Sequence, residues 1–241
     1  MNIFHQIYLQ LKHFLFPGAC ALCGGNLISS GEIRSSLCTQ CLFSVETSKK
    51  TDVSLCNLCG KPLITEIDTC LPCRNNPEHS YERLWVIYPY IGKYRQLITE
   101  YKFKKNLYLA SFFVKKILEV ITREPALKNA VIVPVPPRPG KIKENGWDQV
   151  EHLVKQIEKI KGAPTVLRCL KRKKSKAQKI LNRKDRIENL KGKIYFKFKH
   201  PLKTVLIIDD VLTTGSTMEV CASVLKMSGA QKVYGLCLFY D

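Results

Sequence analysis

Residues 203–217 read Lys-Thr-Val-Leu-Ile-Ile-Asp-Asp-Val-Leu-Thr-Thr-Gly-Ser-Thr, and this stretch decides the fold. Val205 to Ile208 form an unbroken aliphatic run, the pattern of a strand buried on both faces. Asp209 and Asp210 follow without a spacer, and Thr213, Thr214, Gly215, Ser216 and Thr217 then open a helical pattern. In an α/β sheet the carboxyl end of a strand borders the ligand crevice, so both carboxylates stand there on a rigid element. The small hydroxylated turn offers backbone N–H groups, and the helix after it adds the positive end of its dipole, so the turn suits a phosphate. Carboxylates that close to a phosphate would repel it. Their natural partners are sugar hydroxyls or Mg²⁺, and the ligand implied is a sugar phosphate. The plainer alternative is a strand ending in a solvated acidic turn.

Taken together, the stretch resembles the ribose-phosphate signature of type I phosphoribosyltransferases. That resemblance implies that Asp209 and Asp210, as the catalytic pair, hold the ribose hydroxyls of phosphoribosyl pyrophosphate. It likewise implies that Thr213, Thr214, Gly215, Ser216 and Thr217 wrap the 5′-phosphate.

The rest of the second half supports a parallel sheet. Strands are expected at Leu84 to Tyr90, Ala130 to Pro136, Lys193 to Lys199 and Gln231 to Tyr240. Helices are expected at Gly92 to Lys105, Leu107 to Thr122 and Ser216 to Met227, so strand and helix alternate, as in an α/β fold. Prolines at 134, 136, 137 and 139 remove donors and fix the backbone, marking a sheet edge or crevice loop. In type I phosphoribosyltransferases the loop after the corresponding strand binds pyrophosphate, which by resemblance assigns that role to Pro136 and Arg138.

The first half is organised by cysteine. Eight of the eleven cysteines form C-x-x-C pairs: Cys20/Cys23, Cys38/Cys41, Cys56/Cys59 and Cys70/Cys73. Few aliphatics lie between them, and a module so small needs a staple. Four thiolates per Zn²⁺ provide one, because metal binding becomes folding energy. Cys-Ala-Leu-Cys-Gly at 20–24 recurs as Cys-Asn-Leu-Cys-Gly at 56–60, an internal repeat in which Gly24 and Gly60 suit a turn of positive φ. The simplest reading is two Zn²⁺ sites, Cys20/Cys23/Cys38/Cys41 and Cys56/Cys59/Cys70/Cys73, with spacers of 14 and 10 residues between their pairs. A cross-braced pairing and a set of redox dithiols are the alternatives. Cys169, Cys221 and Cys237 lie in apolar surroundings and read as core residues.

The opening residues 1–16 carry Phe4, Ile7, Tyr8, Leu11 and Leu15 at helical spacing, an amphipathic helix too short and too polar to span a membrane. They do not read as a secretory leader, so a cytoplasmic chain is expected. With 39 Lys and Arg against 20 Asp and Glu, the formal charge is +19, which favours a polyanionic partner: nucleic acid or a phosphate-rich substrate.

Much of that charge sits at residues 168–193, with twelve Lys or Arg against Asp185 and Glu188. We read this segment as a mobile basic loop. It would act as a lid that brings cations to departing pyrophosphate, as a nucleic-acid groove, or as a solvated charge run. Asn75 to Tyr81 reads as a linker, and the lone histidines His152 and His200 carry no identifiable partner and receive no role.

Val133-Pro134-Val135-Pro136 followed by Glu144-Asn145-Gly146-Trp147-Asp148-Gln149 adds a narrower resemblance, to the ComF family of competence-associated proteins. The family pattern Arg-Gly-Phe-Asn-Gln meets Asn145, Trp147 and Asp148 here at its Arg, Phe and Asn positions, while Gly146 and Gln149 are kept. The resemblance covers essentially the whole chain. It implies a zinc module at 17–76 and a phosphoribosyltransferase-like domain at 82–241, with Arg172, Lys176, Gln178 and Arg186 in its lid. It further implies binding of phosphoribosyl pyrophosphate with Mg²⁺ and a role in natural transformation, handling single-stranded DNA beside a helicase-like ATPase. A non-catalytic DNA-binding module and a nucleobase-salvage transferase are the alternative functions on the same fold.

Overall fold

The structure is a computed structural model that describes residues 18–47, 54–63, 65–75, 78–173, 183–198 and 200–241, with residues 183–186 described by their backbone only. The expected helix at 1–16 lies outside the described residues. The chain divides into two compact units. One comprises the described part of Met1–Thr51 together with Ile91–Phe112, and the other comprises Asp52–Tyr90 with Phe113–Asp241.

The first unit holds α1 (Ser30–Ser35), α2 (Thr39–Thr47) and α4 (Gly92–Lys102), and α3 (Leu71–Asn75) lies in the second. Ser29 opens α1 through a capping box: its hydroxyl accepts from Glu32 N–H, and the Glu32 carboxylate accepts in return from Ser29 N–H at 2.9 Å. Glu32 also accepts from the Thr39 N–H and hydroxyl at 2.7 and 2.8 Å, so one carboxylate joins α1 to α2. Those backbone and side-chain donors, Ser29 first, hold its pKa down at about 2. Lys93 and Tyr94 on α4 reach back to Ser44 and Val45 at the end of α2. The Gln96 amide donates to the carbonyls of Ala21 and Leu22.

The second unit is built on a four-stranded sheet of order β1-β6-β5-β2, in which every neighbouring pair is parallel. Its strands are β1 (Arg83–Pro89), β2 (Val131–Pro134), β5 (Thr204–Leu212) and β6 (Lys232–Tyr240). The aliphatic run Val205 to Ile208 lies at the centre of β5, and all four residues are fully buried, as an unbroken apolar strand requires. Burying each such side chain contributes about 1.5–3 kcal/mol.

Because successive side chains alternate across the sheet, Val205 and Ile207 join one core with Val133, Val233 and Cys237. Met218, Cys221 and Leu225 of α9 (Ser216–Met227) close over that face. The opposite face receives α7 (Gln149–Glu158), which approaches β5 and β2. Helix α5 (Leu109–Arg123) crosses the unit boundary, and its Phe113 meets the ring of Phe239 edge-on at 5.7 Å. Cys169, Cys221 and Cys237 are buried core residues, as expected.

Three expectations need correction. The basic segment is not one loop from 168 to 193. Leu170–Arg172 form β3, which pairs antiparallel with β4 (Ile194–Phe196), and Arg183–Leu190 form α8. The reason is apolar: Leu170, Leu190 and Ile194 enter the core beneath α9, while Arg168 is neutralised by ion pairs to Glu151 and Glu158. The strand expected at 193–199 accordingly belongs to this two-stranded ribbon and not to the parallel sheet.

Residues 78–81 are not a slack linker either. Tyr81 is buried and stacks on His79 at 4.7 Å, while Ser80 N–H donates to the Glu219 carboxylate. Finally, His152 has partners, since its Nε2 lies 3.1 Å from the Gln156 amide and its ring meets Trp147 edge-on. Among the described residues no helix is long and apolar enough to cross a membrane.

Candidate functional site

The two carboxylates emerge at the end of β5, where alternation sends them to opposite faces. Asp209 follows Val205 and Ile207, on the side of α9 and β3, and Asp210 follows Leu206 and Ile208, on the side of α7. Their partners agree. Asp210 is buried and its Oδ2 accepts from Gln149 Nε2 at 2.6 Å, whereas Asp209 is only partly buried and its charge bears on Arg172 and Cys221. Each carboxylate also accepts a backbone N–H from the next residue, at 2.8 Å for Asp209 and 2.9 Å for Asp210.

Beyond them, Gly215 takes a left-handed φ of 75° and serves as the N-cap of α9. Glycine has no side chain with which to cap the helix, and the Ser216 N–H of its first turn donates to the Thr214 hydroxyl at 3.4 Å. Thr214 and Ser216 hydroxyls lie 2.9 Å apart above that turn. Glycine is needed here because its positive φ starts the helix immediately after the strand end.

Strand β2 ends beside β5, with Pro134 opposite Ile208, and Val135 N–H donates to the Ile208 carbonyl at 3.0 Å. The loop holding Pro136 and Arg138 therefore leaves next to Asp209. Pro136 is buried, and Arg138 is exposed and ion-paired to Glu144 of α6 (Lys141–Asn145). Arg172 is held by β3. Burial lowers its pKa, and the charges of Cys221 and Asp209 act in the opposite direction. Its Nε is buried and has no hydrogen-bond partner among the described residues. Lys176 and Gln178 lie outside the described residues, as does the side chain of Arg186.

A polar network missed by sequence reasoning lies under Asp210. Lys141 Nζ reaches Asp148 Oδ2 and Gln149 Oε1, both at 2.5 Å, and Gln149 passes the contact on to Asp210. Asp148 in turn caps α7 through Glu151 N–H. Gln149 was visible as part of a motif, but nothing in the chain signalled that its amide would meet a carboxylate 61 positions away.

The eight paired cysteines gather into two groups, Cys20/Cys23/Cys38/Cys41 and Cys56/Cys59/Cys70/Cys73, each with its sulfurs within 4.8 Å of one another. The grouping is sequential and not cross-braced. Cys23 and Cys38 sulfurs stand 3.8 Å apart, and those of Cys59 and Cys70 3.6 Å apart. A tetrahedral site with Zn–S of about 2.3 Å spaces its sulfurs by roughly 3.8 Å, so both groups could hold a metal ion.

The internal repeat is reproduced bond for bond. Gly24 N–H donates to the Cys20 carbonyl as Gly60 N–H does to Cys56, and Cys20 N–H donates to Gly25 as Cys56 N–H does to Lys61. Cys38 N–H points to Cys20 Sγ and Cys70 N–H to Cys56 Sγ, both at 3.4 Å. Burial acts to raise the Cys20 and Cys56 thiols, but these N–H donors outweigh it and hold each down at about 7. Cys41, Cys59 and Cys73 are pushed up, by burial first and then by the neighbouring sulfurs. Thiols that discourage one another's ionisation in this way suit a divalent cation, which reverses the balance.

No family model matches the chain. The chain is 26% identical over 227 residues to competence protein F of Haemophilus influenzae, covering 90% of this chain and 95% of that protein. It is 28% identical over 227 residues to the DNA utilization protein YhgH of Escherichia coli, covering 92% and 96%. Competence protein ComFC of Streptococcus pneumoniae is 26% identical over 228 residues, covering 89% and 96%. With its α/β body and its two cysteine tetrads, the chain is a homologue of the ComF-named competence proteins and of YhgH along 89% to 92% of its length.

Proposed function

We propose that this protein assists DNA uptake or utilisation, with a phosphoribosyltransferase-like body that binds phosphoribosyl pyrophosphate and an N-terminal region stapled by two Zn²⁺ ions. The names of its relatives support the DNA role. The observation that carries the ligand is the join at the end of β5, where Asp209 and Asp210 are followed, after a four-residue step through Val211 to Thr214, by the glycine-capped start of α9.

In this reading the Thr213–Thr217 turn takes the 5′-phosphate through backbone N–H groups and hydroxyls. Asp209 and Asp210 accept from the ribose hydroxyls. The loop at Pro136 and Arg138, with Arg172 behind Asp209, faces the pyrophosphate. When bound, Mg²⁺ would neutralise the pyrophosphate oxygens. The carbon–oxygen bond to pyrophosphate would break first, and the lone pair of an acceptor delivered to the anomeric carbon would then form the new bond. The carboxylates would stabilise the cationic sugar between the two events, and the electron pair would leave on pyrophosphate. In this reading the protein works in the cytoplasm, a reducing compartment that suits its free thiols. A helicase-like ATPase of the uptake machinery is the protein partner this reading implies.

A second surface favours single-stranded DNA as a direct ligand. The turn after α4 exposes Phe103, Leu107 and Tyr108 among Lys102, Lys104 and Lys105. Aromatic faces interleaved with cations are what stacked bases and their phosphates require. Isothermal calorimetry with phosphoribosyl pyrophosphate and Mg²⁺ tests the main reading. Heat that disappears in Asp209→Asn and Asp210→Asn supports it, and an absence of heat with the native chain removes it. Oligothymidylate binding that weakens with salt and with Phe103→Ala tests the second surface.

A further inference from the structure

The second cysteine tetrad and the phosphate turn line the same cavity of about 220 Å³, with Cys59, Cys73, Lys61, His79, Thr213 and Gly215 in its wall. Two clamps join them. Lys61, two residues beyond Cys59, donates through Nζ to the Thr213 carbonyl at 3.2 Å and to the Asp241 carbonyl. On the far side of the tetrad, His79 Nδ1 lies 3.1 Å from Glu219 Oε2, and Ser80 N–H donates to Glu219 Oε1 at 2.9 Å. Glu219 sits in the first turn of α9. The segment carrying the tetrad is thus tied to both arms of the phosphate turn, to the strand side at Thr213 and to the helix side at Glu219.

The knuckle is also keyed to the sheet. Leu84 N–H donates to the Leu58 carbonyl at 2.7 Å, and a Cβ on Gly60 would fall 2.6 Å from the Leu84 carbonyl oxygen. Leu63 and Leu58 are the aliphatic residues packed with the four cysteines in this cluster. A knuckle with so small a core takes its shape from the metal. The Lys61 clamp therefore depends on a loaded tetrad, whereas the His79 clamp is also steadied by the stack of His79 on buried Tyr81.

We propose that the second tetrad holds the phosphate turn in its binding conformation, with Lys61 as a positioning residue, although no thiol touches the phosphate. This rests on the reading of Thr213–Thr217 as the phosphate turn. The test compares the native full-length protein with Lys61→Met, Lys61→Arg and Glu219→Gln. Three quantities are read: zinc per chain by mass spectrometry, hydrogen exchange of amides 213–217 without ligand, and ribose 5-phosphate affinity by calorimetry.

In Lys61→Met, zinc should stay at the native content while amides 213–217 exchange faster, and affinity should fall by about three- to tenfold, the loss of one modest hydrogen bond. Lys61→Arg should restore both, and Glu219→Gln should loosen the helix side of the same turn. Unchanged exchange at 213–217 in Lys61→Met with native zinc content would overturn the proposal. If the native protein gives no heat with ribose 5-phosphate, the sugar-phosphate reading fails, and the exchange comparison alone decides the clamp.

Discussion

Gln149 Nε2 donates to Asp210 Oδ2 at 2.6 Å, and both side chains are buried, at 5% and 6% exposure. Gln149 is a neutral bridge: its other end accepts from Lys141, whose charge is matched by Asp148. Gln149→Glu would set a second carboxylate against Asp210, and Gln149→Leu would remove a donor from a buried anion. Either change should destabilise the protein by about 1–3 kcal/mol. The urea midpoint should drop with an unchanged slope, and Gln149→Glu should bind ribose 5-phosphate at least roughly tenfold more weakly.

The two tetrads lie in different units of the chain and should load independently. If zinc fills both tetrads, Cys23→Ser and Cys59→Ser should each lower the zinc content by one ion per chain, as read by native mass spectrometry. A strong chelator should release both and abolish the protection from hydrogen exchange of the Cys20–Gly24 and Cys56–Gly60 turns. Loss of both ions in each single variant would mean that the tetrads are coupled.

Gly24 and Gly60 occupy equivalent places in the repeat, with φ of 75° and 68°. Their surroundings differ: a Cβ at Gly24 meets nothing within 4 Å, whereas one at Gly60 strikes the Leu84 carbonyl. Gly24→Ala should cost about 1 kcal/mol, the strain of a left-handed backbone. Gly60→Ala should cost clearly more, by about 1–3 kcal/mol beyond that, because backbone cannot move aside as a flexible side chain can. Thermal unfolding of the two variants measures the difference.

His152 on α7 has its pKa lowered, by burial first and then by Lys159 and Lys155. The unfolded chain therefore binds a proton here more readily than the folded one, and stability rises with pH across this titration. The contribution is present above the ordinary histidine value of about 6.5 and is lost as pH falls through the depressed folded value. Melting temperature should decline from pH 7.5 to pH 5.5, and more steeply in the native protein than in His152→Gln.

Much of this architecture was legible in the residues themselves. Val205 to Ile208 could only be a doubly buried strand, and the repeat at 20–24 and 56–60 reproduces its turns because four-residue knuckles are governed by local hydrogen bonds and glycine. The basic segment misled because charge dominates its composition. Leu170, Leu190 and Ile194 are too widely spaced to register as a pattern, yet each found the core beneath α9. The histidine at 152 looked partnerless because its partners become apparent only when the helix and the preceding turn are built.

Local chemistry, then, set the strands, the knuckles and the carboxylate-to-glycine turn, since each depends on neighbours within a few residues. Folding alone decided that Lys61 would hold Thr213 across 152 positions, Glu219 would meet His79 across 140, and Gln149 would face Asp210 across 61. Hydrogen bonds of that separation leave no periodic trace in a chain. They arise when the packing of the sheet brings together side chains whose own sequence surroundings are silent about one another.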